Sequence, residues 1–526
     1  MNVLISDNLD PRCVAILEAE GHAVNNVPGL SAEELLRLIP DFEVLLVRSA
    51  TKVTDKVIAH ARNLRIVGRA GTGVDNIDLD AATRRGILVM NTPGGNSISA
   101  AEHTVAMMLA LARNIAQAHA SMVAGKWERK AFTGTEVLEK TVGVVGLGRI
   151  GREVASRCHG LGMKVIAYDP LLAAEAAGRL GIELVSLEDL FRRSDFITVH
   201  TPLSDDTRGL LNATTLARCK RGVRIINCAR GGIVDERALL EALDSGHVAG
   251  AALDVFSSEP PKDNPLIGHP RVIVTPHLGA STEEAQEKVA LQIAHAVADA
   301  LAGRSYAGVV NGAAMYLTLR EEVRPYIVLA ERMGSLLSQL GRGKLRKVSI
   351  SGAGEAVLSS LELLKAGVLK GILGRMHPEP VNYINAPVLA TELGLAVEES
   401  RESDPGAYPS LLRVRYETDQ ERHEAAGTVF GIRGFRLVSL DGFSFEINPE
   451  GSLLVYSNVD RPGMLARVGA LLAAHGVNIA GLSLGRTQAG ARALTVMNTD
   501  GSPSATALTE LEGLEGVSGV RWVFLG

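Results

Sequence analysis

Cysteine is scarce in this chain of 526 residues. Only Cys13, Cys158, Cys219 and Cys228 occur, far apart and with no CxxC pair. That spacing excludes a disulfide framework and the usual zinc-ligand patterns, so no metal site is expected. Long apolar runs are missing too. The most apolar helical stretch, around residues 104–112, is short and flanked by Glu102, His103 and Arg113. A bilayer crossing needs ~20 apolar residues. The opening MNVLISDNLD has no basic region followed by an apolar run. No signal peptide is therefore expected, and the chain reads as cytoplasmic. There is no excess of positive charge either. A net charge of −5 leaves no broad basic field for nucleic acid or an anionic membrane.

What is present is an ordinary globular composition, 46% hydrophobic and 21% charged. It excludes disorder as the dominant state, and the length suits about three to five domains. Glycine is abundant at 55 residues and gathers in Gly-x-Gly clusters, which suit tight turns and close backbone–ligand approach.

Over the first three hundred residues short β-branched runs alternate with amphipathic helical stretches. Val3–Ser6, Val44–Val47, Arg65–Val67, Leu88–Met90, Val142–Val145, Val165–Tyr168, Phe196–Val199, Val223–Asn227 and Val272–Val274 are such runs. Apolar through both faces, they predict buried parallel strands with crossover helices, an α/β doubly wound architecture. There are too many for one sheet, so one set ending near residue 90 and another from Val142 to Val274 are expected. Helices over about Ser99–Lys126, interrupted by Gly125, and over Thr282–Ala302 look like crossings between two domains. A third helix is expected over Leu319–Leu340. Residues 345–450 are mixed, with apparent hairpins near Gly427–Ile447. The last ~75 residues, from Ser452, read as a small α+β unit.

The sharpest local signal is TVGVVGLGRIG. A strand runs into Gly146–Leu147–Gly148–Arg149–Ile150–Gly151 and a helix follows. Such glycines let the backbone approach a pyrophosphate seated on a helix N-terminus. The next strand ends at Asp169, eighteen residues past Gly151. An acid there accepts hydrogen bonds from ribose hydroxyls and repels a 2′-phosphate, which favours NAD over NADP. The bland alternative is a glycine-rich turn with no cofactor. A second cluster, Gly68 to Asp75, lacks the third fingerprint glycine. It reads equally as a cradle of backbone amides for a small anion or as a plain strand-to-helix turn.

Three polar residues stand where ligands of an open α/β sheet bind, beyond the strand ends. Arg230 follows one strand in INCARGGIVD, Glu259 lies in DVFSSEPP, and His277 follows another strand in VIVTPHLG. Their chemistry suits hydride removal from a secondary alcohol. An imidazole takes the hydroxyl proton, a carboxylate on its other nitrogen fixes the tautomer, and a guanidinium grips a substrate carboxylate through two parallel bonds. Outside that context, His277 would read as a structural histidine. A non-catalytic NAD-sensing protein remains an alternative.

The segments RSATKVT, GRAGTGVDNID, NTPGGNS, GKWERKAF, VGLGRIGREVA, NCARGGIVDE, ALDVFSSEPP and TPHLGAST together resemble the D-isomer-specific 2-hydroxyacid dehydrogenases. The resemblance is dense over the first ~305 residues, and Arg230, Glu259 and His277 stand in the family's catalytic positions. It implies a flavodoxin-like substrate domain (1–95 with 281–305) and a Rossmann-type NAD domain (96–280). It implies substrate contacts from Ser49, Ala50, Thr51, Gly73 and Asn96, with Arg48 and Arg69 on a substrate phosphate. Further NAD contacts would come from Arg149, Ile150, Thr201, Pro202, Cys228, Ala229, Arg230, Asp254 and His277. Arg129 and Lys130 would reach a neighbouring subunit's cleft. VDRPGMLARV and GVNIAGL resemble the ACT modules of long-form members, with an intervening domain (310–450) before an ACT-like domain (452–526). Those members oxidise 3-phospho-D-glycerate with NAD as homodimers or homotetramers. The resemblance implies L-serine held by Asp460 and Asn478 between two paired modules, the alternative being a module that only dimerises. Reduction of another 2-oxo acid, such as glyoxylate or hydroxypyruvate, is the competing activity.

Overall fold

A computed structural model describes residues 1–431 and 434–526. The first sheet comprises β1 (Asn2–Ile5), β2 (Ala23–Asn26), β3 (Val44–Val47), β4 (Ile66–Arg69) and β5 (Leu88–Met90), in the order β2-β1-β3-β4-β5. Every pairing is parallel. The run VLLV of β3 is buried at all four positions, as a strand covered on both faces requires. One cover is the helix Glu283–Leu301, which opens on the Thr282 side-chain cap and buries Val289, Ile293 and Val297. It lies so close to Gly68 that a Cβ there would sit 3.0 Å from both Ile293 and Val297.

The second sheet comprises β6 (Thr141–Val145), β7 (Lys164–Tyr168), β8 (Glu183–Leu184), β9 (Phe196–Val199), β10 (Val223–Asn227), β11 (Val248–Leu253) and β12 (Val272–Val274). The order β12-β11-β10-β9-β6-β7-β8 is parallel throughout and reverses direction beside β6. Strand β11 is absent from the sequence reading. Its run VAGAAL is poor in β-formers because small residues are needed there: a Cβ on Gly250 would lie 2.9 Å from the Arg271 carbonyl and 3.0 Å from Leu111. The edge strands β2 and β8, short and largely exposed, also lack the apolar signal.

The expected helix over Ser99–Lys126 is two helices, Ser97–Ala112 and Ile115–Val123. The break falls at Asn114, which adopts φ 52°, a left-handed turn asparagine tolerates better than most residues. Gly125 only follows the second helix. The first helix buries nine residues in the nucleotide-side core, and the second buries none.

The third sheet holds β13 (Leu345–Ala353), β14 (Ala396–Arg401), β15 (Leu411–Thr418), β16 (Arg422–Phe430), β17 (Gly434–Leu440) and β18 (Phe443–Ile447), ordered β14-β13-β15-β16-β17-β18. The expected hairpins are β16–β17 and β17–β18. Helices Arg324–Leu340 and Leu361–Leu373 cover it, meeting through glycines: a Cβ on Gly371 would sit 2.0 Å from the Glu331 carbonyl. The first of these starts at Arg324 rather than Leu319, with Pro325 in its opening turn, where a missing N–H costs nothing. The last sheet, β19 (Gly451–Val459), β20 (Asn478–Arg486), β21 (Arg492–Asp500) and β22 (Val517–Leu525), is antiparallel in the order β20-β21-β19-β22. Edge strand β22 docks on the helix Arg324–Leu340 through two hydrogen bonds between Gln339 and the Phe524 backbone, 3.0 Å each. Among the described residues no helix is long and apolar enough to cross a membrane.

Candidate active site

The carboxyl ends of the first two sheets face one cavity of about 750 Å³. The loop after β4 brings Arg69 and Gly73 to it, the start of helix Ser97–Ala112 brings Asn96, and Ile150 comes from the glycine-loop helix. Thr201 and Pro202 after β9, Cys228, Ala229 and Arg230 after β10, and His277 after β12 complete the set. His200 and Asp75 line it too, and neither was singled out as a site residue from sequence. Burial pushes the His200 imidazole down to about 4 and the Cys228 thiol up to about 12, so both are neutral near pH 7.

His277 adopts φ 54°, a left-handed backbone that a non-glycine residue keeps only where its surroundings hold it. Asp254 supplies the hold. Its fully buried carboxylate accepts from Thr275 Oγ1 at 2.6 Å, Leu278 N at 2.7 Å and Gly279 N at 2.9 Å. His103, from the helix Ser97–Ala112, stands 3.2 Å from the same carboxylate. Burial works to raise Asp254, but these bonds outweigh it and hold its pKa below the usual value. Asp254 thus anchors the loop from behind the residues that line the cavity. His103 carries no motif that would single it out from sequence.

His277 Nδ1 lies 2.8 Å from Glu259 Oε2. Glu259 Oε1 accepts from the Phe256 backbone N–H at 3.1 Å. Burial raises the Glu259 carboxyl, yet the bond and charge of His277 prevail and leave it below its ordinary value. An ionised carboxylate only accepts, so Nδ1 carries the proton and Nε2 is left as the basic nitrogen.

Arg230 reaches across the cleft. Its Nε stands 3.0 Å from Asp75 Oδ2, and its Nη1 donates to the Ala229 carbonyl at 2.7 Å. A Cβ on Gly73 would lie 2.0 Å from Arg230 Nη2, so only glycine admits the guanidinium there. Arg69 is the second cation of the cleft. Burial, with Arg230 nearby, lowers its pKa to about 10, and its Nε is buried without a partner. Burial lowers Arg48 as well. Ser49 and Ala50 are exposed, whereas Thr51 is buried and donates to Asp7 at 2.6 Å. The Asn96 Oδ1 accepts from Thr72 Oγ1 at 2.7 Å. Arg129 and Lys130 sit on an exposed single turn.

The glycine loop is shaped for a phosphate ligand. Gly146 needs its φ of +93°, and a Cβ on Gly151 would meet the Gly146 carbonyl at 2.0 Å. A Cβ on Gly148 would meet nothing within 4 Å, which is the open approach a pyrophosphate requires. Asp169 accepts from Leu147 N at 2.8 Å and so sits beside that loop. Thr201 Oγ1 is buried without a partner on the cavity wall. These residues fit NAD. The Arg149 guanidinium donates to the Pro93 carbonyl at 2.7 Å, bridging to the chain that leaves the first sheet.

In the last sheet the two effector candidates are separate. Asp460 pairs with Arg486 at 2.9 Å, at the far end of β20, while Asn478 opens that strand and donates to Asp500 at 2.7 Å. At ~3.3 Å per residue those ends lie roughly 25 Å apart, so one module cannot close both side chains on one small ligand.

Three family descriptions match in sequence: "D-isomer specific 2-hydroxyacid dehydrogenase, NAD binding domain" over residues 105–279, "D-3-phosphoglycerate dehydrogenase intervening domain" over 322–441, and "ACT domain" over 452–516. The chain is similar to the D-3-phosphoglycerate dehydrogenase of Archaeoglobus fulgidus, 42% identical over 97% of both chains. It is also similar to that of Homo sapiens, 47% identical over 91% of both. Among solved structures it resembles the NAD-dependent formate dehydrogenase of Staphylococcus aureus in complex with NAD, with TM-score 0.54 and 30% identity. That likeness covers 59% of this chain and 99% of the other.

Proposed function

The chain belongs to the D-3-phosphoglycerate dehydrogenases of the D-isomer-specific 2-hydroxyacid dehydrogenase family, and on that premise we propose that it oxidises 3-phospho-D-glycerate to 3-phosphohydroxypyruvate, the first step of L-serine synthesis. The observation that carries the reading is one cavity that holds His277, backed by Glu259, together with Arg230 and Arg69, whose buried Nε has no partner among the described residues. NAD, when bound along the glycine loop, supplies the hydride acceptor. His277 Nε2 takes the C2-hydroxyl proton, and Glu259, already ionised, stabilises the imidazolium that results. Arg230 holds the substrate carboxylate beside the reacting carbon. Arg69 and Arg48 hold the phosphate, whose charge compensates the desolvated Arg69. In the reverse reduction the same imidazolium returns its proton.

The proposed division is a substrate domain (1–95 with 281–305), an NAD domain (96–280), an intervening domain (310–450) and an ACT domain (452–526). We assign the chain to the cytoplasm as a homodimer or homotetramer in which Arg129 and Lys130 reach the neighbouring cleft. L-serine is its effector, bound between ACT modules of two chains, one giving Asp460 and the other Asn478. The distance along β20 between those two residues supports the shared site.

The test follows NADH absorbance with a panel of 2-hydroxy acids. Turnover of 3-phospho-D-glycerate well above D-lactate, glycerate or glycolate is expected, and a preference for any of those would overturn the substrate. Millimolar L-serine should slow the reaction or change the oligomer. If it alters neither rate nor assembly, the effector assignment fails.

A further inference from the structure

Arg230 is the proposed carboxylate clamp, yet one of its gripping edges is already engaged. A guanidinium grips a carboxylate through two adjacent N–H groups. Here Nε is 3.0 Å from Asp75 Oδ2, and Nη1 is turned back on the Ala229 carbonyl. Nη1 thus has one of its two N–H groups engaged, and Asp75 occupies the Nε end of the Nε–Nη2 edge, one of the two edges that offer a bidentate grip. Asp75 belongs to the loop after β4 of the first sheet, and Arg230 to the loop after β10 of the second, so the pair spans the cleft. Asp75 is bound only at its tip, with its side chain 66% exposed. Its carboxylate can swing into water without a desolvation cost, whereas Arg230, 29% exposed, is fixed in the wall.

We propose that Asp75 is a built-in stand-in for the substrate carboxylate, holding Arg230 across the empty cleft and yielding its place when a 2-hydroxy acid enters. The inference rests on the assignment of Arg230 as the clamp. Asp75 then sets affinity and the ease of product release rather than the chemical step. It also keeps Arg230 from facing Arg69 with no anion between them, because both cations line the same cavity. A ligand that brings its own carboxylate takes over that role. One that lacks a carboxylate must leave the Asp75 pair intact and gains nothing from the clamp.

The strength of an exposed pair sets the expected effect. Such pairs contribute about 0–1 kcal/mol, so removing the competitor should tighten substrate by about two- to fivefold. The experiment titrates 3-phospho-D-glycerate by calorimetry into the full-length protein saturated with NADH, a dead-end complex in which nothing turns over. Wild type, D75N, R230Q and the double variant form a cycle. Asp75→Asn should lower Kd two- to fivefold in the wild-type background and leave it unchanged when Arg230 is Gln. Asp75→Glu, which keeps the charge, should bind like wild type. An unchanged or raised Kd in D75N overturns the proposal, because Asp75 would then support the clamp rather than occupy it. An equal fall in the R230Q background also overturns it, because the effect would be bulk charge. Should another 2-hydroxy acid prove to be the substrate, the same cycle run with that acid tests Asp75 independently of the substrate assignment.

Discussion

Gly231 follows the clamp residue, and nothing in its own conformation requires glycine. What requires it is the neighbouring loop. A Cβ at Gly231 would lie 1.8 Å from the Phe256 carbonyl oxygen, 2.1 Å from its carbon and 2.7 Å from Ser257 N. All three are backbone atoms, so no side chain can rotate away. Real contacts stay above 3.0 Å, so Gly231→Ala must drive the two loops about 1 Å apart. One loop carries Arg230. The other carries Phe256, whose N–H binds Glu259, which in turn binds His277. The single methyl therefore separates the clamp from the base. Overpacking of this kind costs ~1–3 kcal/mol in stability, and ~1 Å of misplacement costs about 100-fold in rate. The assay is kcat/KM by NADH absorbance, with NADH affinity by fluorescence and Tm alongside. G231A should lose about 100-fold in kcat/KM and melt a few degrees lower, while NADH affinity falls far less than kcat/KM because the glycine loop after β6 is not displaced. A folded G231A that turns over within about threefold of wild type would refute the claim that these loops are rigidly spaced.

Other expectations follow from the same geometry. Glu259→Gln should lower kcat by about 10²–10⁴-fold. Because the Glu259 pKa lies below its ordinary value, the deficit should be constant from about pH 5.5 to 8, and a deficit that vanishes at low pH would argue against an ionised partner. Asp169→Ala should weaken NAD roughly tenfold and narrow the preference over NADP, read from KM for the two cofactors; an unchanged ratio removes Asp169 from the ribose site. His423 is raised by its bond to Asp441, assisted by Glu421. Its contribution is thus complete below the unfolded value of about 6.5 and lost as pH rises through the folded one. His423→Gln should cost ~1 kcal/mol at pH 6 and nothing at pH 9 in thermal unfolding, and an equal loss at both would show that packing, not charge, is responsible.

Much of the architecture was legible before any coordinates, for one physical reason. Strands buried on both faces must be apolar throughout, so β1, β3 to β7, β9, β10 and β12 announced themselves. Strand β11 did not, because the helix packed over it demands Ala and Gly where β-formers are expected. The break at Asn114 escaped because a left-handed asparagine looks like any polar residue inside an amphipathic pattern. The hairpins of the third sheet and the α+β order of the last unit were readable from turns and alternation.

The site divides in the same way. Motif chemistry named Arg230, Glu259, His277 and the glycine loop, because hydride transfer and pyrophosphate binding each restrict which residues will serve. Sequence spacing also placed Asp169 beside the glycine loop, just past the end of β7. Only the tertiary structure decided that Asp254 anchors the histidine loop from below, that His103 joins it, that the Arg69 Nε is left without a partner among the described residues, and that Asp75 reaches over to Arg230. Those facts depend on which segments, distant in sequence, the fold brings within about 3.2 Å of one another, a matter of relative placement that no local run of residues encodes.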